Sequence, residues 1–191
     1  MIDISENIKN IKYADIKKEI IEANPLNLKN YNEKIEYLRE CIEETVRYHQ
    51  ISDVPITFLL SSGIDSSTII SSTKNKKNCN ALTLDLDEGK QVYNEKFLAK
   101  KTAEINSIPH VVDKVTQEEV NLLIDQFFKS MDQPTNDGLN SFLISYISKK
   151  KLNSKVIISG VGGDEFFFGY SSFTRIQKIN NMMKFIPNFK V

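Results

Sequence analysis

The chain carries no net charge: 25 lysines and arginines offset 25 aspartates and glutamates across 191 residues. A protein without an overall field does not draw nucleic acid or acidic lipid to itself by charge alone. Neither partner is expected. Lys74, Lys76 and Lys77 cluster, and Lys149, Lys150 and Lys151 form a run. Lysines favour helix C-termini, so both groups read as solvated loop or helix ends. Cysteine is scarce. Cys41 and Cys79 are the two present, and no C-x-x-C pair exists to hold a metal. Two free thiols in a reducing compartment are the expectation. No apolar run approaches the roughly 20 residues that span a bilayer. The start, Met1-Ile2-Asp3-Ile4-Ser5-Glu6, lacks the basic residues and apolar stretch of a signal peptide. A cytoplasmic protein away from membranes is expected.

What is present is enough for one packed domain, with 40% hydrophobic residues. Residues 1–30 are polar and read as a lead-in segment, with a short helix between Ala14 and Ala23 ended by Asn24-Pro25. Residues 31–191 read as the domain. Ile35, Leu38, Ile42 and Val46 recur at helical spacing within a helix over 33–49. Ile56 to Leu60 is a short apolar run bounded by Pro55 and a Ser/Gly cluster, which predicts a buried strand. Helix follows from Ser67 to Thr73. Ala81 to Leu84 is a second strand, and Glu95 to Ile105 a helix with Asn94 as its N-cap. His110 to Val112 is a third strand. Thr116-Gln117-Glu118-Glu119 is a capping box, and Val120, Leu123, Ile124, Phe127 and Phe128 follow it at helical spacing. Ser141 to Lys150 reads as helix, Lys155 to Ser159 as strand, and Phe173 to Met183 as the start of another helix. Strands alternating with helices predict an α/β fold, a parallel sheet with helices on both faces. Ligands of such sheets bind at the carboxyl ends of the strands. Two glycine-containing loops, after Leu60 and after Ser159, emerge there.

Ser61-Ser62-Gly63-Ile64-Asp65-Ser66-Ser67 joins a strand to a helix through small residues. The first-turn amides of a helix lack intrahelical partners, and its dipole favours an anion beside them. Serine hydroxyls add donors, and Gly63 lets backbone approach a ligand. The stretch therefore predicts a phosphate cradle without a lysine. Two other phosphate loops are excluded. G-x-x-x-x-G-K-[ST] is absent, and Gly160-Val161-Gly162-Gly163-Asp164-Glu165 misses the last glycine of G-x-G-x-x-G. Asp65 inside an anion cradle would repel phosphate unless a cation lay between them. That argues for Mg²⁺, which takes one or two carboxylates plus phosphate oxygens, with Asp164 as the second carboxylate. The aromatic run Phe166-Phe167-Phe168 is expected to pack beneath its loop. His49 and His110 are expected to be structural or surface histidines.

At these residues the sequence resembles the ATP-using synthetase domain of the asparagine synthetase family, whose fold is that of the PP-loop adenine nucleotide alpha hydrolase-like (HUP) proteins. The family's S-G-G-x-D-S matches Ser61 to Ser66, and its S-G-x-G-x-D-E-x-x-x-G-Y matches Ser159 to Tyr170. Tyr93-Asn94-Glu95 resembles the family's Y-D-E helix start, Asp132-Gln133-Pro134-Thr135 its acidic-x-P loop, and Ser52-Asp53-Val54-Pro55 its lead-in to the first strand. The resemblance runs over residues 33–173. It implies that an aspartate side-chain carboxylate attacks the α-phosphate of ATP, pyrophosphate leaves, and ammonia converts the acyl-adenylate to an amide and AMP. It implies that Ser61, Gly63, Asp65, Ser66 and Ser67 hold pyrophosphate, with Ser62 offering a further hydroxyl. Leu60, Leu84, Ser159 and Gly160 would contact adenosine. Asp65 and Asp164 would hold Mg²⁺, and Glu165 would face the amino-acid substrate or orient its loop.

The chain departs from the family pattern in three places. Ser62 stands where the family usually has glycine, at a cost on the order of 1 kcal/mol if φ there is positive. Ile2 stands where the family's glutaminase domain has its cysteine nucleophile. The family's synthetase domain also continues well past its Gly-Tyr run. A separate glutaminase or C-terminal synthetase subunit is an expected partner. Three functions remain: an amide ligase, a non-catalytic or split nucleotide-binding fragment, and another adenylating enzyme of the same loop class, such as one that modifies tRNA. Zero net charge disfavours the last, which would carry a basic face.

Overall fold

The computed structural model describes residues 12–86 and 95–183. They fall into two compact units, divided between Tyr37 and Leu38. In the first unit, helix α1 spans Ile16–Glu22. Asp15 caps it by accepting from the Lys18 amide at 3.1 Å, and no α1 residue is buried. Helix α2, Tyr31–His49, begins at a reciprocal cap. Asn30 Oδ1 accepts from the Glu33 amide at 2.9 Å, and Glu33 accepts from the Lys29 amide at 2.7 Å.

The second unit is built on four parallel strands: β1 Ile56–Leu59, β2 Cys79–Leu86, β3 His110–Val115 and β4 Val156–Ile158. Their order is β3-β2-β1-β4. The connections are α3 Ile64–Ser72, α4 Glu95–Ile105, the pair α5 Gln117–Ser130 and α6 Gly138–Leu152, then α7 Gly163–Phe167 and α8 Ser171–Met183 after β4. Handedness explains how the helices divide. Parallel crossovers are right-handed, so stepping outward from β1 to β3 puts helices on one face and stepping back to β4 puts them on the other. The core divides the same way. Ile56, Phe58, Leu60 and Ala81 pack with Ile70 of α3 and Ala99 and Ala103 of α4. Leu82, Val111 and Val115 pack with Val120 of α5 and Ile144 and Ile147 of α6. Adjacent Ala81 and Leu82 thus face opposite layers, as the period-two pleat requires. Helices cover both faces, as the alternating pattern predicted. Burying Phe58 or Leu82, at 1% and 0% exposure, stabilises the fold by about 1.5–3 kcal/mol each relative to exposure.

Several boundaries differ from the sequence reading, each for a local reason. Helix α3 starts at Ile64, three residues before Ser67, because Ser66 ties its first turn to the preceding loop. Strands β2 and β3 both run longer than expected, since pairing continues through Asp85↔Lys114 and Leu86↔Val115. The glycine run after β4 contains a helical turn, α7, where loop was expected. Phe166, Phe167 and Phe168 are 66%, 58% and 69% exposed. They do not pack beneath the loop: Phe168, past the end of α7, meets Phe173 edge-on instead, with ring centroids 5.0 Å apart. Tyr93, and Asn94 as the expected cap of α4, lie outside the described residues. No helix among the described residues is long and apolar enough to cross a membrane.

Candidate functional site

Strand order places the site. The chain steps one way from β1 and the other way to β4, so the β1/β4 boundary is the switch point where ligand crevices form. Both singled-out loops, 60–63 and 159–162, leave the sheet at the carboxyl ends of these two strands. They touch. A Cβ on Gly160 would come to 2.9 Å from Asp65 Cβ and 3.1 Å from the Ser66 amide nitrogen, and one on Gly163 would collide with the Asp65 carboxylate. Glycine at 160 and 163 is what lets the second loop close on the start of α3. Gly162, at φ +102°, makes the turn between them in the left-handed region.

The first loop is shaped from inside. Ser66 is buried. Its hydroxyl accepts from the Ser61 amide at 3.1 Å, meets Ser61 Oγ at 2.9 Å, and lies 3.2 Å from the carbonyls of Ser61 and Gly63. Ser61 Oγ also accepts from the Gly63 amide at 3.1 Å. The Ser61 and Ser66 hydroxyls therefore hold the loop's shape. Gly63, the N-cap of α3, has φ −68° and no side chain to accept from the first turn. The amides of Ile64, Asp65 and Ser66 thus have no intrahelical or capping partner. Ser62 is exposed and is not among the positive-φ residues, so serine there incurs no left-handed strain. The Ser62 and Ser67 hydroxyls complete the donor set of this rim.

Leu60, 2% exposed, joins the ladder through its amide to Leu82 O at 2.9 Å. Its carbonyl accepts from the Thr83 hydroxyl at 2.5 Å. Thr83 Oγ1 in turn lies 2.8 Å from His110 Nε2. Burial pushes the His110 imidazole pKa down, with Lys100 acting the same way and Glu104 against it. Leu84 is half-buried beside this row, Ser159 is exposed, and Gly160 is half-buried.

The acidic residues sit on the second loop and on α3. Asp65 lies in the first turn of α3 and Asp164 in that of α7. Both raise the pKa of the Tyr170 phenol, less than Glu165 does through its hydrogen bond. Gly163, on which a Cβ would meet the Asp65 carboxylate, directly precedes Asp164 and Glu165 in the first turn of α7, so the three acidic residues share one rim. Tyr170 donates to Glu165 Oε1 at 2.7 Å, and this bond is the main cause holding the Glu165 carboxyl below its usual pKa. Among the described residues, no group of three or more His, Cys, Asp or Glu could hold a metal. Asp65 and Asp164 alone suit a cation that draws its other ligands from phosphate and water, which is the habit of Mg²⁺. The sequence reading had no role for Thr83, His110 or Tyr170. A threonine inside the apolar run Ala81-Leu82-Thr83-Leu84 is the signal that could have found the first, since a buried hydroxyl needs a partner. A cavity of about 210 Å³, lined by Gln50, Asp53, Asn75, Lys77 and Cys79, opens at the amino ends of β1 and β2, away from this rim.

The asparagine synthase family model matches residues 37–188. A glutamine-hydrolyzing asparagine synthetase of Bacillus subtilis is 31% identical over 137 residues, covering 72% of this chain and 22% of that protein. One of Zea mays is 27% identical over 149 residues, covering 72% of this chain and 25% of that protein. Among solved structures, the glutamine-dependent NAD⁺ synthetase of Acinetobacter baumannii in complex with ADP is 16% identical. It gives a TM-score of 0.46, covering 82% of this chain and 31% of that one. The chain spans about a quarter of the length of these curated relatives.

Proposed function

This chain belongs to the asparagine synthase family, and from that premise we propose that it is the nucleotide-binding part of an AMP-forming amide ligase. One observation carries the reading: two loops of the family's pattern meet at the sheet's switch point, with Asp65 enclosed by Gly160 and Gly163. The free amides of Ile64, Asp65 and Ser66 and the hydroxyls of Ser62 and Ser67 receive the β- and γ-phosphates of ATP. The rim at Leu60, Leu84, Ser159 and Gly160 receives adenosine. Asp65 and Asp164 hold Mg²⁺, which when bound neutralises charge on the phosphate oxygens. An aspartate side-chain carboxylate attacks the α-phosphorus, the α–β bridge breaks, and pyrophosphate leaves. Ammonia then attacks the acyl carbon and displaces AMP, giving the amide. Glu165, kept ionised by Tyr170, accepts from the substrate's ammonium group. Preorganised donors aimed at developing charge contribute about 3–4 kcal/mol each in such sites. Ammonia comes free or from a glutaminase.

The chain's share of its relatives' length, 22% and 25%, favours a second reading: nucleotide binding by this chain, with turnover only beside further synthetase polypeptide. One assay separates the two. Pyrophosphate release from ATP–Mg is followed with aspartate and ammonium, for the chain alone and with polypeptides encoded beside it. Aspartate-dependent release by the chain alone that is lost in Asp65→Asn supports the ligase. ATP binding by the chain with release only beside those polypeptides leaves only the second reading, and no ATP binding at all overturns both.

A further inference from the structure

The peptide between Leu60 and Ser61 is the last link before the phosphate loop, and it is held on both edges. Its carbonyl accepts from Thr83 Oγ1 at 2.5 Å and its amide donates to Ser66 Oγ at 3.1 Å. Thr83 has one hydroxyl proton. Given to Leu60 O, it obliges Oγ1 to accept from His110, so His110 carries its proton on Nε2. A neutral Nε2–H tautomer and an imidazolium both satisfy that demand. The row therefore survives protonation of His110, and direction runs one way along it, from β3 through β2 to β1. Thr83 is 4% exposed, so its hydroxyl has no water to fall back on. The Leu60 amide is tied separately to Leu82 O. A row from β3 through β2 thus ends on the Leu60–Ser61 peptide plane, and the peptide before it is tied to β2 as well.

We propose that Thr83, oriented by His110, is a positioning residue for the nucleotide: it fixes the Leu60–Ser61 peptide and so sets where the phosphate loop leaves the sheet. The inference rests on the nucleotide-binding reading above. The division of labour is specific. Ser66 shapes the loop from within, whereas Thr83 registers the loop against the sheet. Losing the first would disorder the cradle. Losing the second would leave the cradle's internal bonds intact and shift it relative to the adenosine contacts at Leu84, Ser159 and Gly160. Phosphate-dependent affinity is the quantity that such a shift erodes, because ATP must reach both places at once while adenosine needs only one.

Thr83→Val keeps the shape and removes the donor, and Thr83→Ser restores it. Two measurements are made on the whole chain. Amide exchange of the unliganded protein is expected to rise at residues 61–63 in Thr83→Val, with protection of the β2/β3 ladder kept, and to return in Thr83→Ser. Binding of ATP–Mg is expected to weaken about tenfold in Thr83→Val, the equivalent of one lost buried hydrogen bond. Adenosine is expected to change by less than about threefold, and Thr83→Ser to bind ATP within about threefold of the parent. Unchanged exchange at 61–63 overturns the inference whether or not nucleotide binds. Equal losses for ATP and adenosine overturn it too, because they mark general damage. A parent chain that binds no ATP overturns the nucleotide reading, and with it the positioning role, while the exchange result still decides whether Thr83 holds the peptide.

Discussion

His110 shows how a residue without a chemical role can still shape pH behaviour. Its ring is partly buried and its pKa is pushed below 6.5, first by burial and then by Lys100, with Glu104 opposing. The unfolded chain then takes up a proton at higher pH than the folded chain does. Stability from this group is fully present above the unfolded value near 6.5 and is lost as pH falls toward the folded value. Thermal unfolding followed from about pH 7.5 to 5.5 should show the melting temperature falling with acid. His110→Gln keeps a donor for Thr83 without a titrating group, and should remove that part of the slope. An unchanged slope in the variant would show that His110 is not the origin. The same side chain explains a limit of sequence reasoning. Two histidines far apart in sequence give no sign of which lies next to a buried threonine. That depends on β2/β3 register, Ala81↔His110 and Thr83↔Val112, which is a tertiary fact.

Elements were legible where the pattern was local. The capping box at Thr116 is present as read: its hydroxyl accepts from the Glu119 amide at 3.2 Å, and Glu119 accepts from the Thr116 amide at 3.1 Å. Thr116→Ala should cost about 1 kcal/mol of unfolding free energy, as N-cap losses do. Urea titration checks it, and a change under about 0.3 kcal/mol would mean the cap contributes little. The parallel run of the strands and the placing of both loops at carboxyl ends were equally legible, because alternation with helices forces a parallel sheet. What the sequence hid was finer. The contact between Ser61 and Ser66, five residues apart, forms only once the first turn of α3 closes. The glycine run after β4 looked like loop, yet Gly162 in the left-handed region is followed at once by the helical turn that exposes three phenylalanines. Periodicity needs several turns to register, and α7 has only five residues.

Helix α8 extends that exposure. Ile176, Ile179 and Met182 recur every third residue and are 55%, 52% and 69% exposed, and no residue of α8 is buried. An amphipathic helix normally draws its stability from burying such a face. Here the second unit gains nothing from that face, since its core lies in the layers on either side of the sheet. Two consequences follow, with opposite signs. Replacing Ile176, Ile179 and Met182 together by glutamine should change unfolding free energy by no more than about 0.5 kcal/mol per position, as for surface sites. A core position of similar size would lose about 2–5 kcal/mol on truncation to alanine. Exposed apolar surface promotes association, so the triple variant should also stay monomeric to higher concentration than the parent in sedimentation velocity. A triple variant that loses several kcal/mol would show that the face is already buried in the folded chain. An unaltered sedimentation profile at matched concentration would show that the face does not associate. The expected pair of results, neutral stability with reduced association, requires a helix that is folded but not yet packed.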